Sequence, residues 1–500
     1  MGVLLVVAIL VVVWLCYDFV RRVRSLPPGP FPVPILGNIF QVPHSNDKMY
    51  LEFTRKYGPI FTVWLGDPAV FITDYELNKE FMVKQGKNFT RPNIFSMNYV
   101  YGTDDVRGII GSVGAKFVEQ RMFLTQNMKE SEKTDNNAMY DAVWAEIDEL
   151  VETIESSIEK GGGVEGEVNL AQLLDRTSIG VMGRMVFGHS YKVDDQKFLD
   201  FRAALQAVIS YSPAITFFDA YPWLRYLPPL AKVLGVGDYF SSAEAMRAYL
   251  LKEMQDQYKS FDADSKSGQF VHGFLREQHQ RREKGCDVGT FTNSQAYYAA
   301  FDYLAGGLDT IGGSLGWFFL YLLYTPEEMD KFYDEIDRVL DPDEMLTMSH
   351  RNQLPYVYAA ILEGQRLGST IPVSLPLAAR TDCTIGGQPI KQGTMVYSVH
   401  WAIHMDPKYF PEPEKFKPER FIDPEGGIKK IAAFQPFGLG KRRCPGELLA
   451  NVHLFLVVTT ILRKYKIRPA AVLPSLTPFY NSVARAPQDF HVKISKRHHD

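Results

Sequence analysis

Residues Phe437–Gly446 read FGLGKRRCPG, a basic, glycine-punctuated loop that presents Cys444, one of four cysteines in 500 residues. Pro445 and Gly446 lead from it into an apolar stretch, ELLANVHLFLVVTTIL, of helical character. A thiol near a helix N-terminus, beside Lys441, Arg442 and Arg443, is expected to have a lowered pKa and to make a good metal ligand. The bland alternative is a buried cysteine packing as a small hydrophobe. The loop by itself leaves both open. A nucleophilic cysteine of the protease kind is not favoured, because no local His partner accompanies it.

The chain around the loop is 46% hydrophobic, 22% charged and 13% aromatic, which is enough to bury a large core. No internal repeat and no long low-complexity linker separates independent cores, so one large catalytic domain is expected. A formal charge of -4 argues against nucleic acid as a partner. Cys16, Cys286, Cys383 and Cys444 lack the close spacing of zinc sites and small disulfide scaffolds. A reduced, cytosol-facing domain is the simplest reading, and any metal must be held in another way.

At the N-terminus, VLLVVAILVVVWLCY (Val3–Tyr17) is apolar without interruption. Extended to Val20 it reaches the roughly 17 to 25 residues that cross a bilayer. A cleaved signal peptide would end in small residues. Here Arg21, Arg22 and Arg24 follow instead, which favours an uncleaved anchor over residues 1–24 with the remaining chain on the cytoplasmic side. Then LPPGPFPVPILGN (Leu26–Asn38) carries five prolines and is expected to be a stiff, extended hinge over residues 25–38. Residues 39–500 remain for the catalytic domain.

The pattern beyond is mainly α with a small β region. Alternation around a Gly-Asp-Pro turn predicts a hairpin over Gly58–Asp74, and Gly386-Gly387 suits a second one. Helical periodicity predicts helices over residues 136–159, Leu170–Val186, Ser242–Tyr258 and Ser294–Tyr324.

Phe437, Gly438, Gly440, Arg442, Cys444 and Gly446 match the ten-residue pattern F-G-x-G-x-R-x-C-x-G, and the loop resembles the haem-binding loop of cytochromes P-450. That resemblance implies that Cys444 is the thiolate ligand of the iron in haem b. This axial ligand pushes electron density toward O–O cleavage. Phe437, Gly438 and Gly446 would lie around the sulfur.

Further segments follow in the family's order. EGQR (Glu363–Arg366) resembles the ExxR motif and PERF (Pro418–Phe421) follows it, so Glu363, Arg366 and Arg420 look like the family's buried charge triad, structural and not catalytic. Gly306-Gly307-Leu308-Asp309-Thr310 is similar to the family's [AG]-G-x-[DE]-T, which implies a catalytic Asp309 and Thr310. Thr310 would orient a proton-delivering water and Asp309 would link that relay to solvent. So many glycines weaken a helix, at about 0.8 to 1 kcal/mol each relative to Ala. Ile311 stands where many relatives carry Thr or Ser. KFVEQR (Lys116–Arg121) resembles a WxxxR stretch with Phe117 in place of Trp, and Leu377 stands where microsomal relatives carry His or Arg. Arg121 and Arg442 are then the expected donors to the haem propionates, with Arg380 a substitute, and the two departures imply weaker haem retention.

After the anchor the whole chain is similar to animal microsomal cytochromes P-450 of the xenobiotic- and fatty-acid-oxidising clan. The resemblance implies a monooxygenase that acts on a lipophilic xenobiotic, fatty acid or steroid at the endoplasmic reticulum membrane. Its electrons would come from NADPH through a flavoprotein reductase, with a cytochrome b-type donor as a further partner. Lys429, Lys430, Lys441 and Arg443 would suit an acidic partner face. The pocket walls expected by analogy are Ile94 to Val106, Ile215 to Leu230, Thr370–Leu375 and the turn around Phe479. Arg485 or Arg107 would be placed to receive a substrate carboxylate. A haem-thiolate binding protein or isomerase-like relative remains the alternative, and an acid-alcohol pair at Asp309-Thr310 argues for the oxygenase.

Overall fold

The computed structural model describes residues 2–497 except 39, 43–46, 93, 95, 97–98, 101–107, 133–136, 192–194, 210–218, 222–226, 228, 230–235, 266, 342–343 and 482. Arg107 and most of 215–230 therefore lie outside the described residues, as does part of 94–106.

Short runs of alternating or β-branched residues form the strands β1 (Ile60–Leu65), β2 (Asp67–Ile72), β3 (Phe89–Thr90), β4 (Gly166–Asn169), β5 (Leu377–Ala379), β6 (Cys383–Ile385), β7 (Gln388–Ile390), β8 (Met395–Ser398), β9 (Tyr465–Pro469), β10 (Phe479–Asn481), β11 (Ala484–Ala486) and β12 (His491–Lys496). β1 and β2 form the expected hairpin, with Ile60 opposite Ile72 and Leu65 opposite Asp67. Gly386 and Gly387, at φ 57° and 76°, make the two-residue turn between β6 and β7. The largest sheet has the order β1-β2-β8-β5-β3, and β4-β12-β9 and the pairs β10-β11 and β6-β7 stand apart from it.

Helices make up most of the molecule. The stretch expected over 136–159 is the helix Ala138–Lys160, and the next are Leu170–Phe187 and Val236–Ser260. The helix expected over Ser294–Tyr324 is instead two segments, Asn293–Leu308 and Thr310–Tyr324, parted at Asp309. Its cause is local, because the Thr310 hydroxyl donates to the Gly306 carbonyl at 2.7 Å and competes with the backbone ladder in a glycine-weakened stretch. The second segment runs through the main core, where Leu315, Trp317, Phe319, Leu320 and Leu322 are fully buried. Pro355–Gly368 and Glu447–Lys464 pack beside it.

The first helix, Gly2–Arg24, stands out from this core. Its apolar side chains are exposed, and Leu4–Arg24 is long and apolar enough to cross a membrane. The proline-rich segment after it lies against β1. Thr62 N–H donates to the Pro28 carbonyl at 2.9 Å and Asn38 N–H to the Trp64 carbonyl at 2.7 Å. The buried Asn38 amide oxygen in turn accepts from Trp64 N–H at 2.8 Å.

Candidate functional site

Between the cysteine loop and the broken helix lies a cavity of about 900 Å³. Phe437, Gly438, Cys444 and Gly446 form one wall, and Gly306, Thr310 and Ile311 are among the residues of another. The loop is closed by Cys444 N–H, which donates to the Phe437 carbonyl at 2.8 Å. Gly440, at φ 67°, has to be glycine, since a Cβ there would lie 2.2 Å from the Met82 carbonyl oxygen.

Cys444 is accessible because it opens onto the cavity, while protein surrounds it on the other sides. Burial pushes the thiol's pKa up, against the opposing pull of the Gly446 N–H and of Arg121. The lowered pKa expected from the loop's charges is therefore overturned. Lys441 and Arg443 are exposed, Arg443 pairs with Glu447, and Arg442 is turned away to another partner. Desolvation of the sulfur outweighs what these cations offer.

Arg442 lies with its guanidinium carbon 3.6 Å from the centre of the Phe117 ring. It donates to the Ile110 carbonyl at 3.3 Å and the Ser112 carbonyl at 2.7 Å. Its pKa is pressed down to about 9, first by burial and then by Arg91 and Arg121. Three guanidiniums thus crowd the same part of the cavity. Phe117 supplies a cation-π face where an indole donor was missed. Arg91 was not found from the sequence, because a lone arginine before a proline carries no signal of its own. It donates to the Ile110 carbonyl at 3.1 Å and the Pro376 carbonyl at 2.8 Å. Leu377 is buried in the cavity wall, whereas Arg380 is exposed and lines no part of it.

The loop that carries these carbonyls is held from across the cavity. Asp302, another residue without a sequence signal, accepts from the N–H groups of Ile109 and Ile110 at 2.5 and 2.7 Å. Gln295 donates to the Gly108 carbonyl at 2.6 Å.

On the helix side, Thr310 faces the cavity and Ser314 extends its polar line, with Oγ 2.9 Å from Thr370 Oγ1. Asp309 is not among the lining residues. Its buried carboxylate accepts from Arg202 at 3.2 Å, and Arg202 also holds Asp175 at 2.7 Å. Glu363, Arg366 and Arg420 come together as expected, and none of the three is among the lining residues: Arg366 Nε and Arg420 Nε lie 2.7 and 3.0 Å from the Glu363 carboxylate.

Of the expected pocket walls, Thr370–Leu375 lines the cavity throughout, as do Ile94, Ser96 and Val100. Phe479 does not, being 58% exposed; Tyr480 and Val483 line it in its place. Arg485 is committed elsewhere, with Nε 2.7 Å from the buried Asp47 carboxylate. That removes it as a receptor for a substrate carboxylate.

Comparison with known proteins bears on the same residues. The cytochrome P450 family model matches residues 27–494. The chain is 31% identical to the probable cytochrome P450 CYP36A1 of Caenorhabditis elegans over 99% of both chains, and 32% identical to cytochrome P450 2H2 of Gallus gallus over 94% of both. It is 28% identical to a 3-ketosteroid oxygenase of Caenorhabditis elegans, covering 91% of this chain and 77% of that one. With a mostly helical fold and a match over nearly its whole length, the chain belongs to the cytochrome P450 family of monooxygenases, and is similar to the animal microsomal members.

Proposed function

We propose that the protein is a haem-thiolate monooxygenase of lipophilic organic substrates in which Cys444 is the protein ligand of haem b. The carrying observation is the donor set: one thiol in the wall of a large cavity, with Arg91, Arg121 and Arg442 crowded beside it. Like charges in a low-dielectric wall repel, and a dianionic group relieves that cost. The two propionates of haem b fit this requirement, and Phe437, Gly438 and Gly446 line the place where its face would meet the sulfur. Bound there, haem b supplies activation of dioxygen, so that two electrons and two protons convert substrate C–H and O₂ into C–OH and water.

The chain's own part is to hold, orient and deliver protons. Arg91, Arg121 and Arg442 anchor the carboxylates, with Phe117 fixing Arg442. The Thr310 hydroxyl, donating to the Gly306 carbonyl, keeps its oxygen free to accept a hydrogen bond from a cavity water. Asp309, next to Thr310 in the chain, is held by Arg202, which also pairs with Asp175, so its carboxylate is fixed by a charged link in place of open solvent. Glu363, Arg366 and Arg420 hold the scaffold under the loop. Electrons would arrive from NADPH by way of a flavoprotein reductase or a cytochrome b-type donor docking at the exposed Lys429, Lys430, Lys441 and Arg443. Residues 1–24 would anchor the chain in the endoplasmic reticulum membrane, 25–38 lead from it, and 39–500 act on the cytosolic face.

Reduced-CO difference spectroscopy of the haem-loaded chain is the test. A Soret band at the thiolate-CO position, lost in Cys444→Ser, is expected; its absence in the unmodified protein overturns the reading.

A further inference from the structure

The charges lining the cavity are sorted by sign. Among the described lining residues, the cationic side chains are Arg91, Arg121 and Arg442, and these lie together beside Cys444. The lining carboxylates are Asp47, Asp219 and Asp302. Asp47 is neutralised by Arg485 at 2.7 Å. Asp302 is engaged by the N–H groups of Ile109 and Ile110, in the loop whose carbonyls hold Arg91 and Arg442.

Asp219 differs from both. Its Oδ1 accepts from Ser96 N–H at 2.7 Å and its Oδ2 from the Ser96 hydroxyl at 2.6 Å. Ser96 is pinned in turn, since the Tyr239 hydroxyl donates to its carbonyl at 2.9 Å. The carboxylate is thus fixed in position by neutral donors, and no described cation pairs with it. Each oxygen retains a lone pair for a further partner. Burial raises the Asp219 pKa, and both Ser96 donors oppose the rise by favouring the ionised form. A fixed, partly buried anion in an apolar wall carries a desolvation cost that a cation entering the cavity would offset.

We propose that this cavity selects lipophilic cations, protonated or quaternary amines, and seats the charged nitrogen against Asp219. The inference rests on the monooxygenase reading of the same cavity and adds the substrate class. Tyr239, which holds the Ser96 carbonyl, is itself among the residues lining the cavity. An anionic substrate of matching shape meets the opposite situation. Arg485 is already paired, and the three lining arginines would be answered by the propionates. Selectivity then comes from rejection of the carboxylate as much as from attraction of the amine.

The test uses three probes of one shape on the haem-loaded full chain. They are 4-phenylbutyltrimethylammonium, its neutral carbon isostere (5,5-dimethylhexyl)benzene, and 5-phenylpentanoate. The quaternary nitrogen has no lone pair and cannot ligate a metal, so its binding reports the cavity alone. Equilibrium dialysis gives affinities, and the substrate-induced Soret shift gives a second reading. In Asp219→Asn, which keeps an acceptor for Ser96, the ratio of cation to isostere affinity is expected to fall about tenfold, with the isostere unchanged. An unchanged ratio overturns the inference. Should the variant not accumulate, the unmodified protein decides: the cation binding more tightly than 5-phenylpentanoate supports the inference, and the reverse order overturns it. A thiolate-CO band recorded on the same preparation separates the two claims. Its absence sinks the haem-thiolate reading, while its presence without cation preference sinks only the substrate class.

Discussion

Glu363 has no exposed surface and accepts four hydrogen bonds, two from Arg366 at 2.7 and 2.8 Å, one from Arg420 at 3.0 Å and one from the Lys417 N–H at 2.9 Å. Arg366, equally buried, also donates to the His404 carbonyl at 2.8 Å. Removing the single carboxylate leaves two guanidiniums uncompensated, so Glu363→Ala is expected to cost about 3 to 5 kcal/mol in urea unfolding. A loss below about 1 kcal/mol would show that the triad is not buried as described. Asp302 acts at one remove from the cavity's arginines. In Asp302→Ala the N–H groups of Ile109 and Ile110 lose their acceptor, and the carbonyls that hold Arg91 and Arg442 shift with them. Haem release to excess apomyoglobin should then be roughly tenfold faster, matching the 1 to 3 kcal/mol attached to such a loss. A release rate equal to that of the unmodified protein counts against this coupling. Both roles depend on partners distant in the chain. ExxR was legible as a motif, but Asp302 was indistinguishable from any aspartate in an apolar stretch.

At the scale of elements, the glycines of the broken helix do different jobs. A Cβ on Gly312 would come within 2.9 Å of the Asp175 Cα, a backbone atom that cannot yield. Gly307 likewise faces Met182, so these glycines let the helix Leu170–Phe187 approach closely and bring Asp175 to Arg202 and Asp309. Gly306 faces the cavity with nothing within 4 Å of its would-be Cβ. Thermal or urea unfolding should therefore separate two otherwise similar changes. Gly306→Ala is expected to raise stability by up to about 1 kcal/mol through helix propensity. Gly312→Ala is expected to lower it by roughly 1 to 3 kcal/mol through overpacking. Equal effects would refute the assignment. Periodicity located this helix, and composition marked it as weak. Neither could say which glycine meets a neighbour and which meets open space.

Across the whole molecule, burial sets the protonation of several histidines. His453 is fully buried in the helix that follows the cysteine loop, with no partner for either ring nitrogen among the described residues, and burial drives its pKa down to about 3. His400 is driven down to about 4 for the same reason. A folded pKa below the unfolded value near 6.5 means that the stability is fully present above that pH and is lost as the pH falls toward the folded value. Urea unfolding between pH 6 and 4 should show this loss, and His453→Leu should flatten it by about 1.4 kcal/mol per pH unit, the weight of one proton. An unchanged slope would place His453 in water.

Taken alone, the sequence determined the family, the helical class, the apolar first helix, the cysteine loop and the charge triad. Each of these is written in contiguous residues or short spacings that local chemistry can read. The tertiary structure decided what the charges do. It raised the Cys444 pKa against its own loop's arginines, committed Arg485 to Asp47, added Arg91, and left Asp219 without a cation among the described residues. Desolvation and pairing depend on which distant groups the fold buries together. FGLGKRRCPG therefore carries the family's pattern, and only the fold shows that burial raises the Cys444 pKa against its arginines.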